Sequence, residues 1–231
     1  MALASFGSSA NDGRVFSSAG EITINGRPLA PAQRVKEGDL IRTGPRGRAQ
    51  ILMSDKSLLD IKPSTELRLD EYAYQPEKPS AGRSVFGLLR GGLRFISGLI
   101  VKAGRQPARL RFGTATIGIR GTVTDMDPGT PNAVGPGTNA PFQLTSDLAL
   151  PGQETTVNAG GNTATVQSGN RLTFDAQTGQ MGQGVNPNPD PAVSFAVQSI
   201  GNALGQSGAT PGGPANLSPA NQAFALAVAS N

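Results

Sequence analysis

The sequence predicts an all-β fold, and three features carry that expectation. With 31 Gly and 18 Pro in 231 residues, frequent turns are favoured over long helices. Short apolar and β-branched runs recur with period-two alternation, the spacing that turns one side of a strand toward a core. Between these runs stand turn formers.

Residues 1–12 are small and polar and read as a flexible leader, followed by strands at 14–16 and 21–24. Asn25-Gly26 supplies the positive φ of a type I′ turn, so 22–24 is expected to fold back on 27–29. Further strands are expected at 40–42, 49–53, 57–61 and 66–70, with a turn at Gly44-Pro45-Arg46-Gly47. Ala49, Ile51 and Met53 share one face, and Leu67 and Leu69 oppose Glu66, Arg68 and Asp70, so each strand reads as about half buried. Residues 72–80 carry two prolines and mixed charges and read as a surface loop before a strand at 84–89. After a strand at 109–112, residues 127–141 hold four prolines and three glycines, an irregular insert. Strands return at 155–157, 163–166 and 171–175, the last two joined at Ser168-Gly169-Asn170. From 179 onward the chain is a low-complexity tail, disordered or weakly helical. Val193, Val197, Ile200 and Leu204 fall at helical spacing, and Ser218-Pro219 suits a helix start. The expected division is therefore a leader (1–12), a β domain (13–178) and a tail (179–231).

The chain has no His, Cys or Trp, which removes histidine acid–base systems, thiol nucleophiles and Cys/His zinc sites. Asp125-Met126-Asp127-Pro128-Gly129 lacks the closing bidentate Glu of a calcium loop and reads as an Asx turn. Lys56 and Ser57 are adjacent in an expected strand and face opposite ways, which disfavours a Ser–Lys dyad. The expectation is a chain that is not an enzyme, with no catalytic residue, no cofactor and no metal. The glycines of 117–122 match neither G-x-G-x-x-G nor a phosphate loop ending in Lys-Ser/Thr, so they read as strand positions of bend or close backbone approach. Arg120, between apolar neighbours, reads as a guanidinium bridging carbonyls or a carboxylate. No apolar run is long enough for a membrane span, and residues 1–7 show no readable secretory signal.

Charge is uneven. Residues 1–125 hold 19 of the 20 Lys and Arg against 11 acids, whereas 126–231 hold one Arg against five acids. The run 83–120 contains no acid, which makes Arg83, Arg90, Arg94, Lys102, Arg105, Arg109 and Arg111 candidate contacts for an acidic partner such as a surface polymer. Strand alternation scatters these cations, and only Phe86, Phe95 and Phe112 could stack on bases, so specific nucleic-acid binding is not expected.

Three blocks carry a family resemblance: 37–60 with Glu37-Gly38-Asp39-Leu40-Ile41-Arg42-Thr43-Gly44, 88–102 with Arg90-Gly91-Gly92-Leu93-Arg94-Phe95-Ile96-Ser97-Gly98, and 114–125 with Ile117-Gly118-Ile119-Arg120-Gly121-Thr122. In this order, and with closing strands over 156–174, the chain resembles the FecR-type domain of bacterial envelope proteins across 13–178. The resemblance marks Gly38, Asp39, Thr43, Gly44, Gly91, Gly92, Gly98, Ile119, Arg120, Gly121 and Thr122 as motif positions of structural role. It implies a β-solenoid-like stack of short twisted strands, whose edges and flat faces suit protein contact. Familiar members are single-pass inner-membrane regulators that relay receptor occupancy to a sigma factor. This sequence shows neither their anti-sigma segment nor their membrane helix, so it is most similar to stand-alone exported members. The implied role is a periplasmic or secreted, non-catalytic module that binds another envelope protein, with signalling as one use the resemblance implies. The alternative is a structural or adhesin-like protein that binds an acidic surface polymer.

Overall fold

The computed structural model describes residues 12–103, 106–120, 123–128, 142–148, 154–167, 169–175 and 178–186. In chain order the strands are β1 (Asp12–Ala19), β2 (Ile22–Ile24), β3 (Arg27–Pro28), β4 (Arg34–Lys36), β5 (Leu40–Thr43), β6 (Arg48–Met53), β7 (Leu58–Ile61), β8 (Glu66–Ala73), β9 (Arg83–Arg90) and β10 (Leu93–Ile96). A short helix, α1 (Leu99–Ala103), is followed by β11 (Ala108–Phe112), β12 (Ala115–Ile119), β13 (Val123–Pro128), β14 (Phe142–Leu148), β15 (Thr155–Ala159), β16 (Asn162–Val166), β17 (Asn170–Phe174) and β18 (Met181–Val185). The fold is all-β, in two open sheets.

The first sheet runs β18-β17-β14-β13-β10-β7-β6-β1-β4, and the second β16-β15-β12-β11-β9-β8-β5-β2-β3. Strands are dealt alternately to the two sheets, singly at β1, β4, β5 and β10 and otherwise in consecutive pairs, so both sheets lengthen in nearly the order of the chain. Their β4 and β3 edges hold the early strands and their β18 and β16 edges the late ones. The β9–β11 pairing is parallel because β10 and α1 intervene; every other described pairing is antiparallel.

One core lies between the sheets, because alternation sends every second side chain inward. In β11, Ala108, Leu110 and Phe112 are buried while Arg109 and Arg111 are exposed. Aromatic rings fasten the sheets together: Phe86 of β9 lies 5.8 Å from Phe95 of β10, and Phe112 of β11 lies 4.2 Å from Phe142 of β14. Each fully buried Leu, Ile or Phe contributes on the order of 2 kcal/mol. The Asn25-Gly26 turn forms as expected, with φ of 52° and 76° and Ile24 opposite Arg27.

Several expectations are corrected. Strand β7 is buried on both faces rather than half buried, because Asp60 on its outward side is covered and ion-paired to Arg48. The expected loop at 72–80 starts later: β8 continues to Ala73, and Tyr72 is buried because its hydroxyl is anchored across the sandwich on Asp55. The two strands expected to join at Ser168-Gly169-Asn170, β16 and β17, belong to different sheets, with Gly169 and Asn170 leading into β17; Ser168 lies outside the described residues. The described part of the expected insert, Asp127 and Pro128, is strand rather than irregular chain; 129–141 lie outside the described residues. Strand β18 falls in the stretch assigned by composition to the tail and pairs along its length with β17. The leader up to residue 11 and the helical spacings beyond 186 lie outside the described residues.

Candidate interaction surfaces

Several of the motif positions make hydrogen bonds that link the early strands. Asp39 accepts the Lys36 N–H at 2.9 Å and the Asn25 amide at 2.8 Å, which locks the turn entering β5 to the β2–β3 hairpin. Gly38 and Asp39 also bond to the backbone of Leu69 in β8. Thr43 donates its hydroxyl to the Lys62 carbonyl at 2.7 Å and accepts the Thr65 N–H, while Gly44 donates to the Glu21 carbonyl. Thr65 accepts the Gly92 N–H at 3.0 Å, beside Gly91. Gly98 sits where any Cβ would press on backbone atoms of Asp55 and Ser57. Ile119 is buried. Arg120 differs from its expected setting in a β core: its side chain is exposed at the end of β12, and its N–H donates to the Glu154 carbonyl. Gly121 and Thr122 lie outside the described residues.

On the outer face of the first sheet, the register aligns Gln50, Asp60, Arg94, Asp125, Thr145 and Arg171 in one row. Arg48 grips Asp60 through two bonds, of 2.8 and 2.5 Å, and this hydrogen bonding raises the guanidinium pKa. Asp125 is held by Arg94 at 2.6 Å and by Lys62, which also binds Asp127 at 2.7 Å. Burial pushes the Asp125 carboxyl up, but Lys62 and Arg94 more than offset this and leave it below the usual carboxylate range. Asp127 is shifted upward by desolvation and by repulsion from Asp125. Sequence reading missed this network, because only strand register brings its members together.

The basic run 83–120 meets its acids in space. On the second sheet, Arg83 approaches Glu71 at 4.0 Å and Arg111 approaches Asp70 at 3.6 Å; on the first, Arg94 is paired with Asp125. Arg90 donates to the Ser64 carbonyl at 3.3 Å. Lys102 is partly buried, and desolvation lowers its pKa against the opposing pull of Asp55. Arg109 is exposed and makes no ion pair among the described residues, and Arg105 lies outside them. The six described candidates therefore form no single uncompensated patch.

At the end where both sheets start, a cleft of about 950 Å³ opens between β3 and β4. Its acids are engaged: Asp12 binds Arg34, Asp39 closes its turn, and Glu37 accepts the Tyr72 N–H at 3.0 Å. Two of its cations, Arg27 and Lys36, are exposed and make no ion pair among the described residues, while Glu37 and Asp39 keep their charge and accept amide N–H groups, so the lining is balanced in charge with two cations at its rim. The strand edges beside it are closed. Gln33 caps the Arg34 carbonyl, Asp39 takes both polar groups of the Lys36 backbone, and β3 turns Pro28 outward, which has no N–H to give. Among the described residues, no group of His, Cys, Asp or Glu side chains is placed to hold a metal ion, and no helix is long and apolar enough to cross a membrane.

Residues 39–135 match the family described as FecR protein, a span covering most of the three motif blocks but not the expected closing strands. Two crystal structures of a candidate anti-sigma factor from Parabacteroides distasonis align with TM-scores of 0.48 and 0.47 at 9% and 10% identity. Each alignment covers 72% of this chain and 73% of the other, a likeness too low to argue from. No curated protein matches the sequence.

Proposed function

We propose, for a chain that is a FecR-type domain protein, a non-catalytic role as an exported module that binds another protein of the bacterial cell envelope, in the periplasm or outside the cell. The observation that carries this reading is the contrast between charges locked into the fold and charges left for a partner. Asp60, Asp125, Arg48 and Arg94 are consumed in internal pairs, whereas Arg27 and Lys36 make no ion pair among the described residues and stand around an open cleft. An acidic segment of a partner protein fits there, its carboxylates replacing water around two exposed cations carried by short strands. The strand order supports a solenoid-like reading of the stack, in which a rigid frame presents its ends for contact. Signalling is the use to which the family resemblance points.

The alternative, a structural protein that binds an acidic polymer through 83–120, is disfavoured by the acids that β8 and β13 set beside that run. Salt separates the two. Polymer binding through many cations collapses as ionic strength rises, while a docked protein segment with few ionic contacts weakens only moderately. The test is retention of the partner on the immobilised chain across a salt series, with Arg27→Glu/Lys36→Glu as the cleft variant. Loss of retention in that variant supports the cleft. Full retention, or release of all bound material by modest salt, contradicts it.

A further inference from the structure

Among the described residues the two sheets have four outer edges, of which two are blunted and a third is capped at one carbonyl. Strands β4 and β3 are closed as described, and on β16 the Thr165 carbonyl is capped by the Gln183 side chain at 3.1 Å. Strand β18 is different. It carries neither charge nor proline, and Gly182, Gln183, Gly184 and Val185 are all exposed, Val185 at 75%. Nothing lies within 4 Å of a Cβ built on Gly182 or Gly184. Hydrogen bonds from Asp175 to the Gln180 carbonyl and from Asn186 to the Gly169 carbonyl fix the phase of the β17–β18 ladder. By that phase, Gly182 and Gly184 bond inward to Thr173 and Arg171, and the N–H and C=O groups of Met181, Gln183 and Val185 point away from the sheet.

The geometry points to a second copy of this chain as the occupant of that edge, joined through β18 in a two-fold antiparallel pair centred on Gln183. The strand reads Met-Gly-Gln-Gly-Val, so reversing it against itself sets Met181 opposite Val185 of the second copy on one face, with Gln183 facing its own copy between these two apolar pairs. On the other face glycine meets glycine, and no side chain blocks the approach. The same register places all outward-pointing backbone groups opposite one another, for about six inter-chain hydrogen bonds. A charged or bulky partner strand would gain no such match. The edge is short, well under the roughly 1,200 Å² buried by stable interfaces, so the association is weak and rises with concentration. It is independent of the proposed cleft, which lies at the opposite end of both sheets.

The test is sedimentation equilibrium of the full chain over a concentration series, with circular dichroism and thermal melting to establish that each variant is folded. Gln183→Pro removes an outward N–H without touching the β17 ladder, though it also removes the cap on the Thr165 carbonyl, and Val185→Asp, which leaves that cap in place, faces the apolar Met181 with charge. Both should abolish the dimer seen for the wild-type chain. Because the chain has no cysteine, Gln183→Cys should oxidise to a linked dimer far faster than Arg14→Cys, an exposed site on β1. A wild-type chain that stays monomeric at the highest concentration, or a dimer that survives in folded Gln183→Pro and Val185→Asp, overturns the proposal. Arg27→Glu/Lys36→Glu should leave the dimer intact, so failure of this inference is distinguishable from failure of the cleft.

Discussion

Asp125→Asn is the sharpest perturbation of the ion network that ties β7, β10 and β13 together. The Asp125 side chain is only 7% exposed and serves two cations, Lys62 and Arg94. Asparagine keeps the shape and removes the charge. Breaking a buried pair costs about 3–5 kcal/mol, because the remaining charge stays desolvated. Lys62 retains Asp127, and Arg94, at 12% exposure, loses this carboxylate but keeps a further contact, so the expected loss lies near the low end, about 3 kcal/mol. For a domain of this size that corresponds to a fall in Tm of about 6–12 °C. Urea and thermal unfolding at neutral pH measure it, with Arg42→Ala as a control. The exposed Arg42–Glu66 pair should contribute no more than about 1 kcal/mol. The Asp125 pKa is lowered by folding, so its stabilisation is complete above the ordinary value of 3.8 and is lost as pH falls through the still lower folded value. The gap between wild type and variant should hold from neutral pH down to about 4 and close below it. A loss under about 1 kcal/mol, or a gap that widens on acidification, would refute the reasoning.

Two further substitutions probe the frame. Gly98→Ala should cost about 1–3 kcal/mol, because the new Cβ meets backbone of the β6–β7 turn rather than a movable side chain; an unchanged urea midpoint would contradict this. Tyr72→Phe removes the acceptor of the buried Asp55 N–H, which lies 2.9 Å from the hydroxyl, and should cost about 1–3 kcal/mol with faster exchange of that amide. Protection of the Asp55 amide equal to wild type would show that the hydroxyl is not its partner.

Local chemistry made much of the fold legible. Asn25-Gly26 dictates its own turn, and the alternation in Leu67, Leu69, Leu110 and Phe112 states which side of each strand is buried. Tyr72 was misplaced because its neighbouring prolines and charges read as loop, whereas its position is set by Asp55, seventeen residues upstream and on the other sheet. Strand β18 was missed because glycines have no strand preference of their own; β17 imposes the conformation by pairing. The basic run misled for a related reason. A charge count along the chain cannot register that β8 and β13 bring Asp70, Glu71 and Asp125 beside its arginines. The cleft cations share this limit, since Arg27 and Lys36 converge only where two edge strands start.

The measurement that bears most directly on the proposed role is crosslink capture from the native bacterium, using a chromosomally tagged copy and mass spectrometry of the trapped species. Recovery of a discrete envelope protein, crosslinked at β3 or β4 and reconstituting a saturable complex with the purified chain, is the expected result. Recovery of nothing but acidic polymer, or of nothing but copies of the chain itself, would contradict an interaction module for another protein.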